Sequence, residues 1–232
     1  MSATESESVH SLTREQLIDE AHTLAGGDAR RILGLTGPPG VGKSELAATL
    51  VRALDPNALL VPMDGFHLAQ AELARLGRED RKGAPDTFDA AGYVSLLRRL
   101  RDPDEQLVYA PLFRREIEEP VAGALAIPRQ MQLVITEGNY LLLDENDWAS
   151  VANLLDEVWY LELDEETRIE RLIARHMRYG KTHSAARAWA LGSDERNARV
   201  VKESRARADR IIRLAEDTST SPSRADCSQS SG

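Results

Sequence analysis

Eight consecutive residues, Gly37-Pro38-Pro39-Gly40-Val41-Gly42-Lys43-Ser44, restrict the fold more than any other feature of the chain. They match G-x-x-x-x-G-K-[ST] without a mismatch. Such a loop works between a strand and a helix: the glycines let the backbone wrap an anion, and the N–H groups of the loop and the first helical turn face it. Both flanks are present. Arg31-Ile32-Leu33-Gly34-Leu35 reads as a strand, and Glu45 to Leu54 as a helix with Leu46, Ala47, Leu50, Val51 and Leu54 on one face. All eight residues are therefore expected at a nucleoside triphosphate, with Lys43 reaching the β- and γ-phosphates and Ser44 holding Mg²⁺. A Gly/Pro-rich turn with a chance lysine is the alternative, and it leaves the strand and the helix unexplained.

Beyond the loop, short apolar runs alternate with helical patterns. Leu59-Leu60-Val61, Leu107-Val108-Tyr109, Leu133-Val134-Ile135-Thr136, Val158 to Leu163 and Ile211 to Leu214 read as strands. Ala90 to Arg101, Glu165 to Tyr179 and Ser184 to Leu191 read as helices. Several strands lack a polar face, which predicts an α/β fold with a mainly parallel sheet covered on both sides. Residues 31–216 form the main unit. Residues 1–30 are a flank, loose through residue 10 and then helical from a Thr13/Gln16 capping box to Gly26-Gly27. Residues 217–232 are small and polar and are expected to form a disordered tail.

Composition narrows the function. The chain has 232 residues and a net charge of −9, without the basic footprint of a nucleic-acid binder or the polybasic segment of a membrane-surface protein. Its single cysteine, Cys227, excludes an intramolecular disulfide and a cysteine zinc cluster. No signal core and no apolar run of about 18 residues is present, so a cytoplasmic protein is expected. No Asn is followed by Lys, so the guanine-reading Asn-Lys-x-Asp of GTPases is missing.

The residues after the second strand, Asp64-Gly65-Phe66-His67, fall where ligands bind in a doubly wound sheet. Asp64 there can accept a hydroxyl proton, or can simply be a turn residue or helix cap. With Arg81-Lys82-Gly83-Ala84-Pro85-Asp86-Thr87-Phe88-Asp89, this stretch resembles the pantothenate kinase, uridine kinase and phosphoribulokinase family. It is most similar to bacterial proteins labelled nucleoside/nucleotide kinase family or fructose transport system kinase. The resemblance runs from Arg31 to Leu214. It implies a P-loop NTPase three-layer sandwich with a helical lid, Asp64 as base or hydroxyl orienter, and Lys82 near the transferred phosphoryl group. Without the resemblance, Arg78, Arg81 and Lys82 would read as a solvated charge run.

Val108-Tyr109-Ala110-Pro111-Leu112-Phe113-Arg114-Arg115-Glu116 resembles the family's substrate loop, in which Tyr109 would meet a small ligand; a core aromatic is the other reading. Arg114 stands where relatives often carry an acid, and a guanidinium there suits an anionic substrate group. Leu133-Val134-Ile135-Thr136-Glu137-Gly138-Asn139-Tyr140 ends a strand with an acid. The resemblance implies that Glu137 holds Mg²⁺ or orients the substrate, whereas a bland reading makes it a cap. Asn139 and Tyr140 are weaker candidates for the pocket wall, and His67 is a further substrate-side candidate. Arg168, Arg171, Arg175 and Arg178 share a helix face and resemble the family's lid, with Arg171 and Arg175 the candidates to close on ATP. Pairing with Glu165, Glu166 and Glu170 competes with that role. Asn197 lies in a segment resembling the adenine-flanking stretch, or on a plain helix surface.

The sequence thus points to an ATP- and Mg²⁺-dependent kinase acting on a hydroxyl of a small metabolite such as a sugar, a nucleoside or pantothenate. Nucleic acid and membrane partners are not expected, and a homodimer is left open. A P-loop ATPase or nucleotide switch regulating a partner is the competing class.

Overall fold

The computed structural model describes residues 8–215. The expected tail, with Cys227, and the first seven residues of the flank lie outside the described residues.

The elements run β1 (Val9–Leu12), α1 (Arg14–Ala25), β2 (Arg31–Thr36), α2 (Lys43–Ala53), β3 (Ala58–Pro62), α3 (Gln70–Leu76), α4 (Ala90–Arg101), β4 (Leu107–Arg114) and β5 (Glu119–Pro128). They continue with β6 (Leu133–Glu137), β7 (Glu157–Glu162), α5 (Glu165–Arg178), α6 (His183–Trp189), α7 (Glu195–Glu203) and β8 (Arg210–Leu214). Six strands form one sheet in the order β1-β8-β7-β2-β6-β3, with every neighbouring pair parallel. The expected α/β fold with a parallel central sheet is therefore present.

The two faces follow the period-2 alternation of a strand. On β2, Leu33 and Leu35 turn toward α1 and α2, where they join Leu17, Ala21, Leu46 and Leu50. Ile32 turns the other way, toward Tyr93 and Leu97 of α4 and the aromatic cluster of Phe88, Tyr140 and Trp148. Gly34 shares that second face, where a Cβ would stand 2.8 Å from Leu155 Cδ1. Helix α1 starts with the expected capping box: Gln16 N–H donates to Thr13 Oγ1, and Thr13 N–H donates to Gln16 Oε1.

Two expectations change. Val9–Leu12, which overlaps the stretch through residue 10 expected to be loose, is an edge strand on β8. Its four residues show almost no burial, so backbone pairing rather than an apolar pattern creates it. Leu107 to Tyr109 is a strand, but outside the main sheet: β4 pairs antiparallel with β5 in a separate hairpin. Strand β5 carries no strand signal of its own, because Glu119–Pro128 holds three alanines and a glycine, has proline near both ends, and is half exposed.

Candidate active site

The parallel sheet brings the carboxyl ends of three strands together. Glu137, the last residue of β6, lies in register with Leu35 on β2 and with Pro62 on β3. The phosphate loop leaves β2 just beyond Leu35, and Asp64 follows β3 in a 3-10 turn, Met63–Phe66. Loop, base candidate and second acid therefore share one edge.

Within the loop, Gly37, Gly40 and Gly42 have φ of 137°, 87° and 106°, a region that side chains rarely enter. Space is also limiting. A Cβ on Gly37 would lie 2.5 Å from the Leu161 carbonyl oxygen, and one on Gly40 would lie 2.7 Å from Leu172 Cγ. Gly42 caps α2 without a side-chain hydrogen bond, so the first-turn N–H groups face the loop interior unclaimed by a side-chain cap. Lys43 is buried, and its ammonium donates to the carbonyls of Gly37 (2.7 Å) and Pro38 (3.2 Å). Burial pushes its pKa down to about 8, with Arg175 adding to the effect while Glu137 and Asp64 oppose it.

Glu137 is buried and accepts a hydrogen bond from Ser44 Oγ at 3.0 Å. Burial and the charge of Asp64 raise its pKa, and Lys43 and the Ser44 hydroxyl counteract that rise. Asp64 is half-buried, and Arg115 Nη2 is 3.8 Å from its Oδ2. The backbone carbonyl of Asp64 lies 2.9 Å from His67 Nδ1. Because a carbonyl can only accept, the proton sits on Nδ1. Burial lowers the His67 pKa and keeps the ring neutral, packed on Phe88 and Phe113. Two glycines permit this packing: a Cβ on Gly65 would lie 2.4 Å from the Pro111 carbonyl oxygen, and one on Gly138 would lie 2.6 Å from Met63.

Lys82 reaches the β4–β5 hairpin. Its Nζ donates to the Glu118 carbonyl at 2.9 Å and sits 5.2 Å from the Phe113 ring centre. The following residue, Gly83, has φ of 98°, and its carbonyl takes two donors: the Tyr140 hydroxyl at 2.5 Å and Asn197 Nδ2 at 3.2 Å. Trp148 Nε1 fixes the Pro85 carbonyl at 3.2 Å. The Lys82 loop is thus pinned by Tyr140 from the segment after β6, by Asn197 from α7 and by Trp148 from the aromatic cluster. Asn139 contributes its backbone carbonyl, which accepts from Thr36 Oγ1 at 3.2 Å. Tyr109 is exposed on the outer face of β4, opposite buried Val108 and Ala110.

Helix α5 divides its arginines. Arg168 is fully buried; Nη1 donates to the Pro39 carbonyl at 3.3 Å and Nη2 pairs with Glu195 on α7 at 2.5 Å. Glu165, one of the acids expected to pair within the helix, instead binds Lys202 at 2.8 Å. Arg171 and Arg175 are exposed. Arg171 Nη1 lies 3.7 Å from the position a Cβ on Gly42 would take, and the charge of Arg175 is felt at both Lys43 and Glu137. The structure therefore brings Lys43, Ser44, Asp64, Glu137, His67, Arg171 and Arg175 to one edge. Arg115, Arg168 and Glu195 carried no individual role in the sequence reading. A groove of about 430 Å³ lined by Ile169, Ile173, Leu191 and acids contains none of these residues.

No family model matches the chain. A Schizosaccharomyces pombe protein named as a candidate uridine kinase is 33% identical over 172 residues, 70% of this chain and 73% of the relative. An Aspergillus versicolor protein named as ATP-dependent kinase-like is 36% identical over 152 residues, 62% of this chain and 88% of the relative. Among solved structures, a protein of Silicibacter sp. TM1040 named as a candidate fructose transport system kinase superposes with a TM-score of 0.78. It is 35% identical, and the match covers 87% of this chain and 99% of that one.

Proposed function

The chain belongs to the P-loop kinases of the uridine kinase and phosphoribulokinase family, and from that premise we propose that it transfers the γ-phosphoryl group of ATP to a hydroxyl of a small metabolite. The observation that carries this reading is the convergence at one sheet edge of Lys43, the Ser44–Glu137 pair and Asp64.

The chemistry follows from the groups. ATP phosphates occupy the loop, where backbone N–H groups and the Lys43 ammonium neutralise them. The acceptor hydroxyl hydrogen-bonds to the Asp64 carboxylate. As its oxygen forms a bond to the γ-phosphorus, the bond from that phosphorus to the β-bridging oxygen breaks. The hydroxyl proton passes to Asp64, and ADP leaves with the electron pair. Lys82, Arg171 and Arg175 offset charge on the transferring group and close the site against water.

Ser44 and Glu137 fit a magnesium ion, because both offer hard oxygen and already lie within 3.0 Å of one another. No cluster of three or more His, Cys, Asp or Glu occurs among the described residues, so phosphate and water oxygens would complete the shell. Bound there, Mg²⁺ supplies charge neutralisation at the β- and γ-oxygens.

Coupled ADP release tests the proposal with a panel of sugars, nucleosides, hydroxy acids and pantothenate. One acceptor class should raise turnover well above the water background. Asp64→Asn should leave ATP affinity nearly unchanged and lower transfer by roughly 10²-fold or more. Turnover that no acceptor raises would instead indicate an ATPase or switch.

A further inference from the structure

The tip of the β4–β5 hairpin lies against the turn that carries Asp64, and Arg115 is the residue on it that approaches the carboxylate. Its Nη2 is 3.8 Å from Asp64 Oδ2, a distance too long for a hydrogen bond. Among the described residues the Arg115 side chain makes no hydrogen bond. Its guanidinium instead lies 5.4 Å from the ring centre of Tyr179, the residue that caps the C-terminus of α5. An aromatic face holds a guanidinium in orientation while leaving its in-plane N–H donors available. Arg115 and Asp64 are both more than a third exposed, so a ligand can reach the pair.

This places a planar cation with unused donors next to the group that must receive the acceptor hydroxyl. Arg114 precedes it, and Lys82 stands at Glu118 on the same tip. While Arg115 leans on Asp64, one carboxylate oxygen faces a cation. A carboxylate or phosphate on the acceptor would give the guanidinium a two-pronged partner at normal hydrogen-bond distance. The guanidinium would then turn from Asp64 to the ligand, freeing both carboxylate oxygens for the hydroxyl. A neutral acceptor offers no such exchange.

We propose that the acceptor is an anionic alcohol, bearing a carboxylate or phosphate that Arg115 grips, and that this grip sets the choice of substrate. The inference rests on the kinase reading above and adds the chemical class of its substrate.

Matched acceptor pairs test it by coupled ADP release: glycerol against glycerate for a carboxylate, and free pentoses against their 5-phosphates for a phosphate. Uridine serves as a neutral nucleoside. The intact chain should favour the anionic member of at least one pair by about 10- to 100-fold in kcat/KM, the size of a charged hydrogen-bond pair. The pair that responds identifies the anion. Arg115→Met should collapse that ratio at least tenfold, with ATP affinity and the thermal unfolding midpoint unchanged. Arg115→Lys, which keeps the charge without the fork, should recover part of it. A preference for neutral members, or an equal loss on both members in Arg115→Met, overturns the inference and leaves the kinase reading intact. Turnover that no acceptor raises overturns both.

Discussion

Ser44 Oγ donates to Glu137 Oε1 at 3.0 Å, tying the phosphate loop to the neighbouring strand through a buried carboxylate. A carboxylate whose pKa is raised by burial is more stable protonated in the folded chain than in the unfolded one. Its cost to stability is absent below the unfolded value, grows as pH rises through the interval, and is complete above the folded value. Glu137→Gln keeps the Ser44 hydrogen bond and removes that cost. The ligand-free variant should melt higher than the parent chain at pH 8 and show no gain at pH 4. Phosphoryl transfer should fall roughly 10²-fold. Calorimetry at the two pH values and a coupled assay check both outcomes, and equal melting at pH 8 would remove the buried-charge argument.

Lys43 behaves in the opposite sense. Its folded pKa is near 8 and its unfolded pKa near 10.5. The unfolded chain therefore binds more protons between those values, so the ligand-free protein should gain stability as pH rises from 8 to 10.5. ATP restores the charged form by placing phosphates beside the ammonium. Binding should take up a proton at pH 8.5 to 9 and almost none at pH 7. Titration calorimetry in buffers of different ionisation enthalpy reads this directly, and Lys43→Met should abolish the uptake. Heats that do not depend on buffer at pH 9 would refute the assignment.

Arg168 supports the loop from behind. It is buried and shared between Pro39 and Glu195, so Arg168→Ala leaves Glu195 with only the more distant Lys202, 4.0 Å away, to offset its charge. Breaking a buried pair from one side costs about 3–5 kcal/mol, whereas Arg171→Ala on the exposed face should stay within about 0.5 kcal/mol. Urea unfolding separates them. Arg168→Met with Glu195→Leu should recover most of the stability. ATP affinity should stay weakened in the double variant, because the Pro39 carbonyl still lacks its donor.

These arginines also show where a sequence can be read and where it cannot. The loop from Gly37 to Ser44 was legible because phosphate binding needs those residue types in that order, and Thr13 with Gln16 announced α1 because a capping box is local. Arg168, Arg171 and Arg175 share one helical spacing, and nothing in it marks Arg168 as the buried one. That depends on Pro39, 129 residues away, and on α7. Tyr109 was rightly placed on a strand, but alternation cannot say which face meets the core, and the structure exposes it. The β4–β5 hairpin was hidden because its stability comes from pairing across the turn and contact with the Asp64 segment rather than from an apolar pattern.

The Gly83 carbonyl gives the last test. It receives Tyr140 and Asn197, 57 and 114 residues away in sequence, and Gly83 immediately follows Lys82. Tyr140→Phe or Asn197→Ala leaves one donor in place, so each should cost about 1 kcal/mol in stability. Each should also lower kcat several-fold with little change in ATP affinity, because Lys82 loses part of its anchoring. The double variant leaves the carbonyl unpaired and should lose more than the sum of the two. Asn197→Asp sets a carboxylate against a carbonyl and should be worse than Asn197→Ala. Steady-state kinetics with ATP and the acceptor varied separately make the decision. A rise in the KM for ATP at constant kcat in Asn197→Ala would place this residue at the adenine, as the sequence resemblance implied; a fall in kcat at constant KM would place it on the Lys82 loop.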